Sequence, residues 1–349
     1  PSSRPARGRP HPAERKPEWG KRWERSLRFA VVPVVDTPAQ EQRPVPSPDG
    51  LKLLFTRAQG DLVLREIAGG DERVLLSGFD APEVLWAGDS RTIVYAREDF
   101  DFNSDIWLLD TGVTGGPGTG GTPVPPGEPV NLTQHPDYDN SARLSADGKV
   151  LVFLSDRDGE NGQNDVYAIY LDRALEGKRP YELDEYFKKS AEAAKKRKPL
   201  GDDAKEGAAK GKGGDAKPKG EKESDEKDAK DKPDGDAKAA GPKALTFDTR
   251  DAHLRVRRLT STLESEGNLA LAPGGERVIF TVGVDDKPAL VSIDFKGGDR
   301  KTIDAAGVSG VGLSLTGDKV VYVKAGTANA APPVGGKVCL LYTSDAADE

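Results

Sequence analysis

Five copies of a nine-residue pattern, each a polar turn followed by an apolar run, are spread along this 349-residue chain. They are SPDGLKLLF (47–55), AGDSRTIVY (87–95), SADGKVLVF (145–153), APGGERVIF (272–280) and SLTGDKVVY (314–322). The first two copies begin 40 residues apart and the last two begin 42 apart. A period of about 40 residues is typical of the four-stranded blade of a β-propeller. The sequence therefore predicts an all-β fold, a β-propeller with five blades represented and the fifth truncated.

Further short apolar runs after each copy supply the other strands of each blade. Residues 82–86 are predicted to form the inner strand of blade two, and blade five becomes recognisable at Gly312. The other runs are DLVLREI (61–67), DERVLLSG (71–78), SDIWLLDT (104–111), EPVNLTQH (128–135), NDVYAIYLD (164–172), RVRRLTS (255–261) and PALVSIDF (288–295). Propellers close with 4 to 8 blades, so at least one further blade is expected for a single ring.

Composition divides the chain further. Residues 1–40 are rich in proline and arginine and are predicted to be an extended lead-in. Blades one to three occupy 41–172, and 253–337 contain the end of blade three, blade four and the start of blade five. Between them, 173–252 is an insertion with a predicted helix at 182–198. Residues 201–243 of the insertion are nearly all Lys, Asp, Glu, Ala and Gly, which predicts disorder.

Both ends of the chain carry signs of an incomplete sequence. There is no methionine, so the natural N-terminus is expected upstream of Pro1. The last residues, CLLYTSDAADE (339–349), resemble a translated sequencing adapter, and 338–349 is predicted to be a tail derived from it. Setting the only cysteine, Cys339, aside leaves no residue for a disulfide, a thiolate metal site or a thiol nucleophile.

Charge and hydropathy exclude two classes of partner. The net charge is −7, from 58 acidic and 51 basic residues, whereas nucleic-acid binding favours a strongly basic surface. The longest apolar stretch, residues 29–35, is far shorter than the roughly 20 residues of a membrane-spanning helix. The sequence predicts neither a nucleic-acid partner nor a membrane span.

Two acidic hairpins are candidates for calcium binding. Asp99, Asp101, Asn103 and Asp105 alternate as oxygen ligands do in the first half of an EF-hand loop. However, Ser104 stands where that loop needs glycine, so a polar hairpin turn is the favoured alternative. The corresponding hairpin of blade three carries Asp156, Asp158, Glu160 and Asn161. No other metal site and no cofactor is predicted.

Nothing in the chain predicts a catalytic site. A serine nucleophile needs a nearby base, and the only histidines are His11, His135 and His253, at unrelated positions of the pattern. The stretch GVSGV (307–311) lacks the final glycine of a nucleophile elbow and leads into a strand. No catalytic residue is therefore predicted.

Three further residues have a structural and a functional interpretation. Trp86 and Trp107 are potential stacking platforms, but their place in apolar strands favours a position in the core. Asn131 begins an Asn-Leu-Thr glycosylation acceptor, yet Leu-Thr recurs at 259–260, which favours a feature of the blade.

From Glu18 to Lys337 the chain resembles the N-terminal propeller of bacterial tricorn-type serine proteases, relatives of the C-terminal-processing peptidases. It resembles TolB more distantly. The WD40-like turns SPDG and SADG carry the fold resemblance. The narrower resemblance is carried by PEWGKRWE (17–24), EDFDFNSDIW (98–107) and EPVNLTQHPDYDNSARLSADGKVLVFLSDR (128–157).

This resemblance implies a parent serine peptidase whose catalytic and peptide-docking domains lie downstream. The propeller would admit or hold peptide or protein substrates for the catalytic domain of the same chain. Two alternatives stay open: a TolB-like scaffold that binds proteins without catalysis, and the propeller of a prolyl-oligopeptidase-type hydrolase. The residues leave the compartment open, and the resemblance favours a periplasmic or secreted location.

Overall fold

The structure, a computed structural model, describes residues 33–112, 126–158, 162–198, 244–284 and 287–342. These ranges contain five four-stranded sheets, and in each sheet the strands lie side by side in chain order. This confirms the predicted all-β propeller fold with five blades. The segment predicted to be disordered, 201–243, lies outside the described residues, as do residues 1–32 of the predicted lead-in.

Sheet one contains β1 (Glu41–Pro46), β2 (Lys52–Arg57), β3 (Asp61–Glu66) and β4 (Glu72–Leu76). Sheet two contains β5 (Glu83–Trp86), β6 (Thr92–Glu98), β7 (Ser104–Asp110) and β8 (Val130–Asn131). Sheet three contains β9 (Asp139–Leu144), β10 (Val150–Ser155), β11 (Asp165–Tyr170) and β12 (Arg257–Arg258). Sheet four contains β13 (Glu266–Leu271), β14 (Arg277–Val284), β15 (Lys287–Asp294) and β16 (Lys301–Asp304). Sheet five contains β17 (Val308–Leu313), β18 (Val320–Lys324), β19 (Thr327–Ala331) and β20 (Cys339–Tyr342).

The fourth strand of sheet five differs from the prediction of a truncated blade. β20 lies in the segment predicted to be derived from an adapter, and it pairs antiparallel with β19 through Asn329 opposite Leu340 and Ala330 opposite Cys339. The unpaired edge of β19 offers backbone hydrogen-bonding groups, and any adjoining segment with strand-forming residues can pair with it, whatever the origin of that segment. The adapter origin of 338–349 therefore stays a prediction.

The repeated turns share one hydrogen-bond pattern. The amide of the first residue donates to the carbonyl five positions later, and the amide of the fourth residue donates back to the first carbonyl, at 2.7–3.2 Å. The fourth residue has a positive φ in every copy, between 54° and 79°, which explains why four of the five are glycine. The fourth residues are Gly50, Ser90, Gly148, Gly275 and Gly317.

Consecutive sheets bury their faces against each other. Val150, Val152 and Leu154 of β10 face sheet four, and the intervening Leu151 and Phe153 face sheet two. Similar clusters join sheets one and two and sheets four and five. A strand that is buried on both faces reads as a continuous apolar run, which is how VLVF and VYAIY appear in the sequence.

The insertion in sheet three begins with two helices, α1 (Arg173–Glu176) and α2 (Pro180–Ala194). A short 3₁₀ helix, Ala252–Arg255, leads into β12. Pro180 occupies the first helical position of α2, and Glu182 accepts a hydrogen bond from the Arg179 amide at 2.8 Å. The predicted helix of 182–198 is thus present, shifted towards the N-terminus. None of the helices in the described ranges is long and apolar enough to cross a membrane.

Helix α2 contacts both sheet three and sheet four at one edge of the sheets. Phe187 is 2% exposed, and its ring stacks on Phe295 with centroids 3.8 Å apart. The Tyr186 hydroxyl donates to Asp147 at 2.6 Å in the turn of sheet three. The helix therefore packs against the repeated turns rather than extending into solvent.

We predict that Gly148→Ala destabilises the chain more than Gly307→Ala. Both glycines have a φ above 70°, so alanine is strained at either site, at a cost of about 1 kcal/mol. A Cβ at Gly148 would also lie 2.9 Å from Leu245 and Phe247, whereas nothing lies within 4 Å at Gly307. Crowding of this kind costs a further 1–3 kcal/mol, roughly. Urea unfolding of the two variants measures the difference, and equal losses would contradict the crowding.

A second prediction concerns helix α2. Phe187→Ala is expected to lower the free energy of unfolding by about 3–5 kcal/mol, because it removes a buried aromatic ring between two sheets. Tyr181→Ala on the same helix is the matched control, since Tyr181 is 58% exposed, and a loss of less than about 1 kcal/mol is expected. Denaturant unfolding monitored by circular dichroism tests both. A similar loss in the two variants would show that the helix is not anchored by Phe187.

Candidate functional site

The antiparallel order of the strands brings two kinds of connection to one edge of the sheets. The hairpins between second and third strands lie there, and so do the links from each fourth strand to the next sheet. Four of the described segments of this kind are 77–83, 98–105, 133–139 and 155–158. We call these four segments the acidic edge. Helix α2 packs against the turns at the opposite edge.

Side-chain contacts join the segments of the acidic edge. The rings of Phe79 and Phe100 stack with centroids 4.9 Å apart, so the link to sheet two meets the hairpin of that sheet. The Tyr138 hydroxyl donates to Glu98 at 2.7 Å, and the Tyr138 amide donates to Asp156 at 2.8 Å. Loops of three sheets therefore form one continuous surface.

The acidic edge carries a large excess of negative charge. Its four segments contain ten carboxylates and a single arginine, Arg157. Three more arginines reach it from adjoining strands: Arg143 pairs with Glu83 at 3.1 Å, while Arg43 and Arg97 donate to backbone carbonyls. Ten carboxylates against four arginines leave the surface strongly negative. The carboxylates are Asp80, Glu83, Glu98, Asp99, Asp101, Asp105, Asp137, Asp139, Asp156 and Asp158.

Large aromatic side chains are exposed on the same surface. Phe100 is 86% exposed, Phe102 is 76% exposed, and Phe79 and Tyr138 are each about two-fifths exposed. Exposed aromatic side chains grouped together in this way mark interaction sites more often than isolated exposed residues do. None of these four side chains is among the residues predicted from the sequence as site candidates, although the alternation of Phe and Asp in EDFDFN is a signal that could have found Phe100 and Phe102.

The hairpin of sheet two holds Phe102 in an unusual backbone conformation. Its φ is +63°, a left-handed value that is unfavourable for a bulky residue. Asp99 stabilises this turn, because its carboxylate accepts from the amides of Asp101 and Asn103 at 2.8 and 3.0 Å. The turn is thus fixed from within, with the Phe102 ring turned outward.

The negative field of the acidic edge acts on Tyr138. Partial burial raises the pKa of its hydroxyl to about 12, with further contributions from the hydrogen bond to Glu98 and the charges of Asp80 and Glu83. A tyrosine that is harder to ionise is the result expected where several carboxylates lie close together.

The hairpin predicted as a calcium candidate does not gather its four side chains around one point. Asp99 is occupied by its own turn, and Asp105 accepts from Asn131, Thr133 and the His135 amide at 2.8–2.9 Å. In the second candidate, Asp158 accepts from the Tyr167 hydroxyl at 2.8 Å, and residues 159–161 lie outside the described residues. Calcium binding stays a prediction of the sequence alone. Within the described ranges, no group of three or more His, Cys, Asp or Glu side chains is placed to hold a metal ion.

The recurring Leu-Thr has a clear structural role in this fold. Thr133 accepts from the Ile106 amide at 3.0 Å, and Thr260 accepts from the Val166 amide at 2.8 Å. The residue before each Leu donates a hydrogen bond to an aspartate of the neighbouring third strand: Asn131 donates to Asp105, and Arg258 donates to Asp165. The side-chain amide of Asn131 is thus engaged within its own blade.

Each Leu-Thr lies beside a buried acid that begins the inner strand of the following sheet. After Thr133 this acid is Asp139, whose pKa is raised by burial and which pairs with Arg157 at 2.6 Å. After Thr260 it is Glu266, which accepts from the Thr260 hydroxyl at 2.6 Å and from the Val166 amide at 3.0 Å.

Glu266 lines an open pocket of about 330 Å³ between the first three strands of sheet four. Burial raises the pKa of Glu266 to about 7, and the negative charge of Asp165 raises it further. The hydrogen bonds from Thr260 and the Val166 amide act in the opposite direction and lower it. Lys287 lies at the same pocket. A larger cavity of about 410 Å³ lies between sheets one and two, with Arg43, Thr56, Leu62 and Glu83 in its wall.

Four of the five inner strands contain a left-handed residue at the same position, which was not predicted from the sequence. Arg43, Ser141, Asn268 and Gly310 each lie four residues before the repeated turn and each have a φ between 46° and 58°. The pairing register shifts at the last three of these positions. A bulge reorients the side chain of the extra residue, as is common beside binding sites.

The tryptophans, histidines and serine considered in the sequence do not form a common site in the described part of the chain. Trp86 is buried and its indole donates to the Val45 carbonyl at 3.1 Å, as expected of a core residue. Trp107 is half-buried against Tyr95, with ring centroids 6.4 Å apart. His135 lies 3.4 Å from Asp137 on the acidic edge, whereas His253 lies in the 3₁₀ helix. His11 lies outside the described residues, and the serine of GVSGV lies in β17.

Comparison with models of protein families gives no match, and comparison with curated protein sequences gives none either. Among solved structures, the chain is similar to a putative TolB from Agrobacterium tumefaciens, with a TM-score of 0.50 and 17% identity over 88% of this chain and 83% of that chain.

It is also similar to the tricorn protease, with a TM-score of 0.52 and 12% identity over 91% of this chain and 27% of that chain. A third similar structure is an oligogalacturonate lyase in complex with manganese, with a TM-score of 0.51 and 10% identity over 89% of this chain and 67% of that chain. At these identities the similarity shows the propeller fold alone. The chain spans about a quarter of the tricorn protease.

We predict that Glu266 makes stability depend on pH. Its pKa is raised from 4.5 to about 7 in the folded chain, so the folded state binds the proton more tightly than the unfolded state does. Stability is then lost as the pH rises from about 5 to 8, by up to about 3 kcal/mol. Glu266→Gln removes this loss, and the variant is expected to gain stability over the native chain at pH 8 but not at pH 5.

Urea unfolding at several pH values measures the Glu266 effect. The matched control is Glu264→Gln, which removes one charge from an exposed side chain two residues away. A difference between Glu266→Gln and the native chain that is constant across this pH range would contradict the prediction.

Proposed function

We propose that this chain is the non-catalytic propeller of a tricorn-like serine endopeptidase and that it holds peptide substrates for a catalytic domain encoded downstream. The observation that carries this proposal is the group of exposed aromatic rings on the acidic edge, contributed by loops of three sheets. The motifs EDFDFNSDIW and EPVNLTQHPDYDNSARL, on which the family resemblance rests, supply most of that surface.

The shape and chemistry of the acidic edge suit a peptide. Loops on a rigid scaffold are the usual position of binding residues, because they vary without disturbing the core. Aromatic rings bind apolar side chains, and carboxylates bind amines and guanidinium groups, so the two together match the mixed chemistry of a peptide. A substrate-holding role outside the cytoplasm is part of this proposal, following the family resemblance.

A TolB-like scaffold that binds proteins without catalysis is the second candidate. The fold similarity to TolB and to the tricorn protease is nearly equal, with TM-scores of 0.50 and 0.52. The same aromatic surface would then bind a folded partner. The two candidates differ in what the gene encodes after Lys337.

The gene downstream of the codon for Lys337 provides the test. We expect it to encode a peptide-docking domain and a serine peptidase domain, and we expect the full protein to hydrolyse peptides. The 349-residue chain alone is expected to bind peptides without cleaving them, which a fluorogenic peptide assay measures. A reading frame that ends soon after this blade would contradict the peptidase proposal and favour the scaffold. An α/β-hydrolase domain in its place would point to a prolyl-oligopeptidase-type enzyme.

A further inference from the structure

We infer that the acidic edge binds cationic peptide segments in which a lysine or arginine lies next to an apolar side chain. This inference rests on the proposed function and names its substrate class. It is carried by the position of unpaired carboxylates directly beside exposed aromatic rings. A basic segment is the one occupant that complements both features.

The apolar part of the surface is the stacked pair Phe79 and Phe100, together with Phe102 two residues further along the same hairpin. Phe100 is 86% exposed and Phe102 is 76% exposed, so most of their ring surface contacts water in the free chain. Covering such rings with an apolar side chain is favourable in proportion to the area removed from water. The stacking of Phe79 on Phe100 fixes both rings before a ligand arrives, which lowers the entropy cost of binding.

The charged part of the surface adjoins these rings in sequence. Asp80 follows Phe79, Asp101 follows Phe100, and Glu98 precedes the same hairpin. The side chains of Asp80 and Asp101 make no hydrogen bond or ion pair with any described residue, and Glu98 accepts only from the Tyr138 hydroxyl. These three carboxylates therefore have no cationic partner within the described part of the chain.

The arginines near this surface are already engaged. Arg157 donates to the buried Asp139 at 2.6 Å and lies over the rings of Phe153 and Tyr167. Arg143 is paired with Glu83, and Arg97 donates to the Ser77 carbonyl at 3.1 Å. Because these cations satisfy neighbouring groups, they leave the field around Asp80, Glu98 and Asp101 negative.

Charge complementarity determines which peptides this surface prefers. A negative surface raises the association rate of a cationic ligand and repels an acidic one. A guanidinium or ammonium group near Phe100 also gains from the electron-rich face of the ring. An acidic peptide or a nucleic acid would bring like charges together.

Binding of three matched peptides to the 349-residue chain tests this inference. The probes are decapeptides of Gly and Ser with a central Arg-Leu-Arg, Gln-Leu-Gln or Glu-Leu-Glu, each carrying a neutral fluorophore for anisotropy measurements. We expect the Arg peptide to bind roughly tenfold more tightly than the Gln peptide and the Glu peptide to bind weakest. Raising the salt concentration from 50 to 300 mM should remove most of this preference.

Substitutions on the acidic edge connect the preference to named residues. The triple variant Asp80→Asn, Glu98→Gln, Asp101→Asn is expected to weaken binding of the Arg peptide about tenfold and to leave the Gln peptide unchanged. The matched control removes three exposed carboxylates away from this edge: Asp71→Asn, Glu185→Gln, Glu192→Gln. Phe100→Ala is expected to weaken all three peptides about fivefold, whereas Leu254→Ala, at another exposed apolar residue, should have no effect.

The outcomes separate this inference from the proposed function. Equal binding of the Arg and Gln peptides that Phe100→Ala abolishes would overturn the cationic preference but leave a peptide-holding propeller. Absence of binding by any peptide would overturn both. Equal weakening by the triple variant and by its control would overturn the assignment to the acidic edge. A cationic preference without a downstream peptidase domain would support this inference while contradicting the peptidase.

Discussion

Everything else in this structure follows from burial of both faces of the three middle sheets, each of which packs against a neighbour on either side. The middle strands of sheet three show it most clearly, since every residue of β10 and β11 is buried and alternate residues face the two neighbouring sheets. Sheets packed in this way leave only the turns and loops at their two edges free to contact other parts of the chain or a ligand. One edge is occupied between sheets three and four by helix α2, which inserts Phe187 against Phe295. The other edge carries the charged and aromatic loops.

The hydrogen bonds that end the outer strands show how one blade is joined to the next. The threonine of each Leu-Thr accepts a hydrogen bond from a backbone amide of its own sheet. Thr260 also donates a hydrogen bond to Glu266, at the start of the following sheet. Glu266 is only 3% exposed, and the raised pKa of its carboxyl group is the electrostatic consequence of that burial. Asp139 has the equivalent place one blade earlier, where Arg157 compensates its charge. The same position therefore holds a buried carboxylate with a raised pKa in both copies, paired with an arginine in one copy and hydrogen-bonded to Thr260 and the Val166 amide in the other.

Antiparallel topology also explains why the candidate site is extended rather than a single cleft. Hairpins and inter-sheet links alternate along the same edge, so residues far apart in sequence, such as Phe79, Phe100 and Tyr138, become neighbours. Their rigidity comes from short local contacts, including the Asp99 carboxylate that fixes the Phe102 turn. An extended ligand such as a peptide suits a surface built from several small loops. The fold similarity to TolB and to the tricorn protease is compatible with such a surface but does not specify its ligand.

The turns, most of the strands, the insertion helix and the propeller class could be predicted from the sequence, because turn chemistry and apolar periodicity are local properties. The five-copy repeat marks the hairpin between the first two strands of every sheet, and the recurring Leu-Thr marks the outer strands of sheets two and three. Which loops meet could not be predicted in this way, because contacts such as Phe79 with Phe100 or Tyr138 with Glu98 join segments that are distant in sequence and depend on how the sheets pack. Pairing within the blades also brings the Thr133 hydroxyl to the Asp105 carboxylate and places CLLY beside β19 as a fourth strand. Burial, pairing and the local electric field depend on neighbours that are distant in sequence, and no single segment of the chain encodes them.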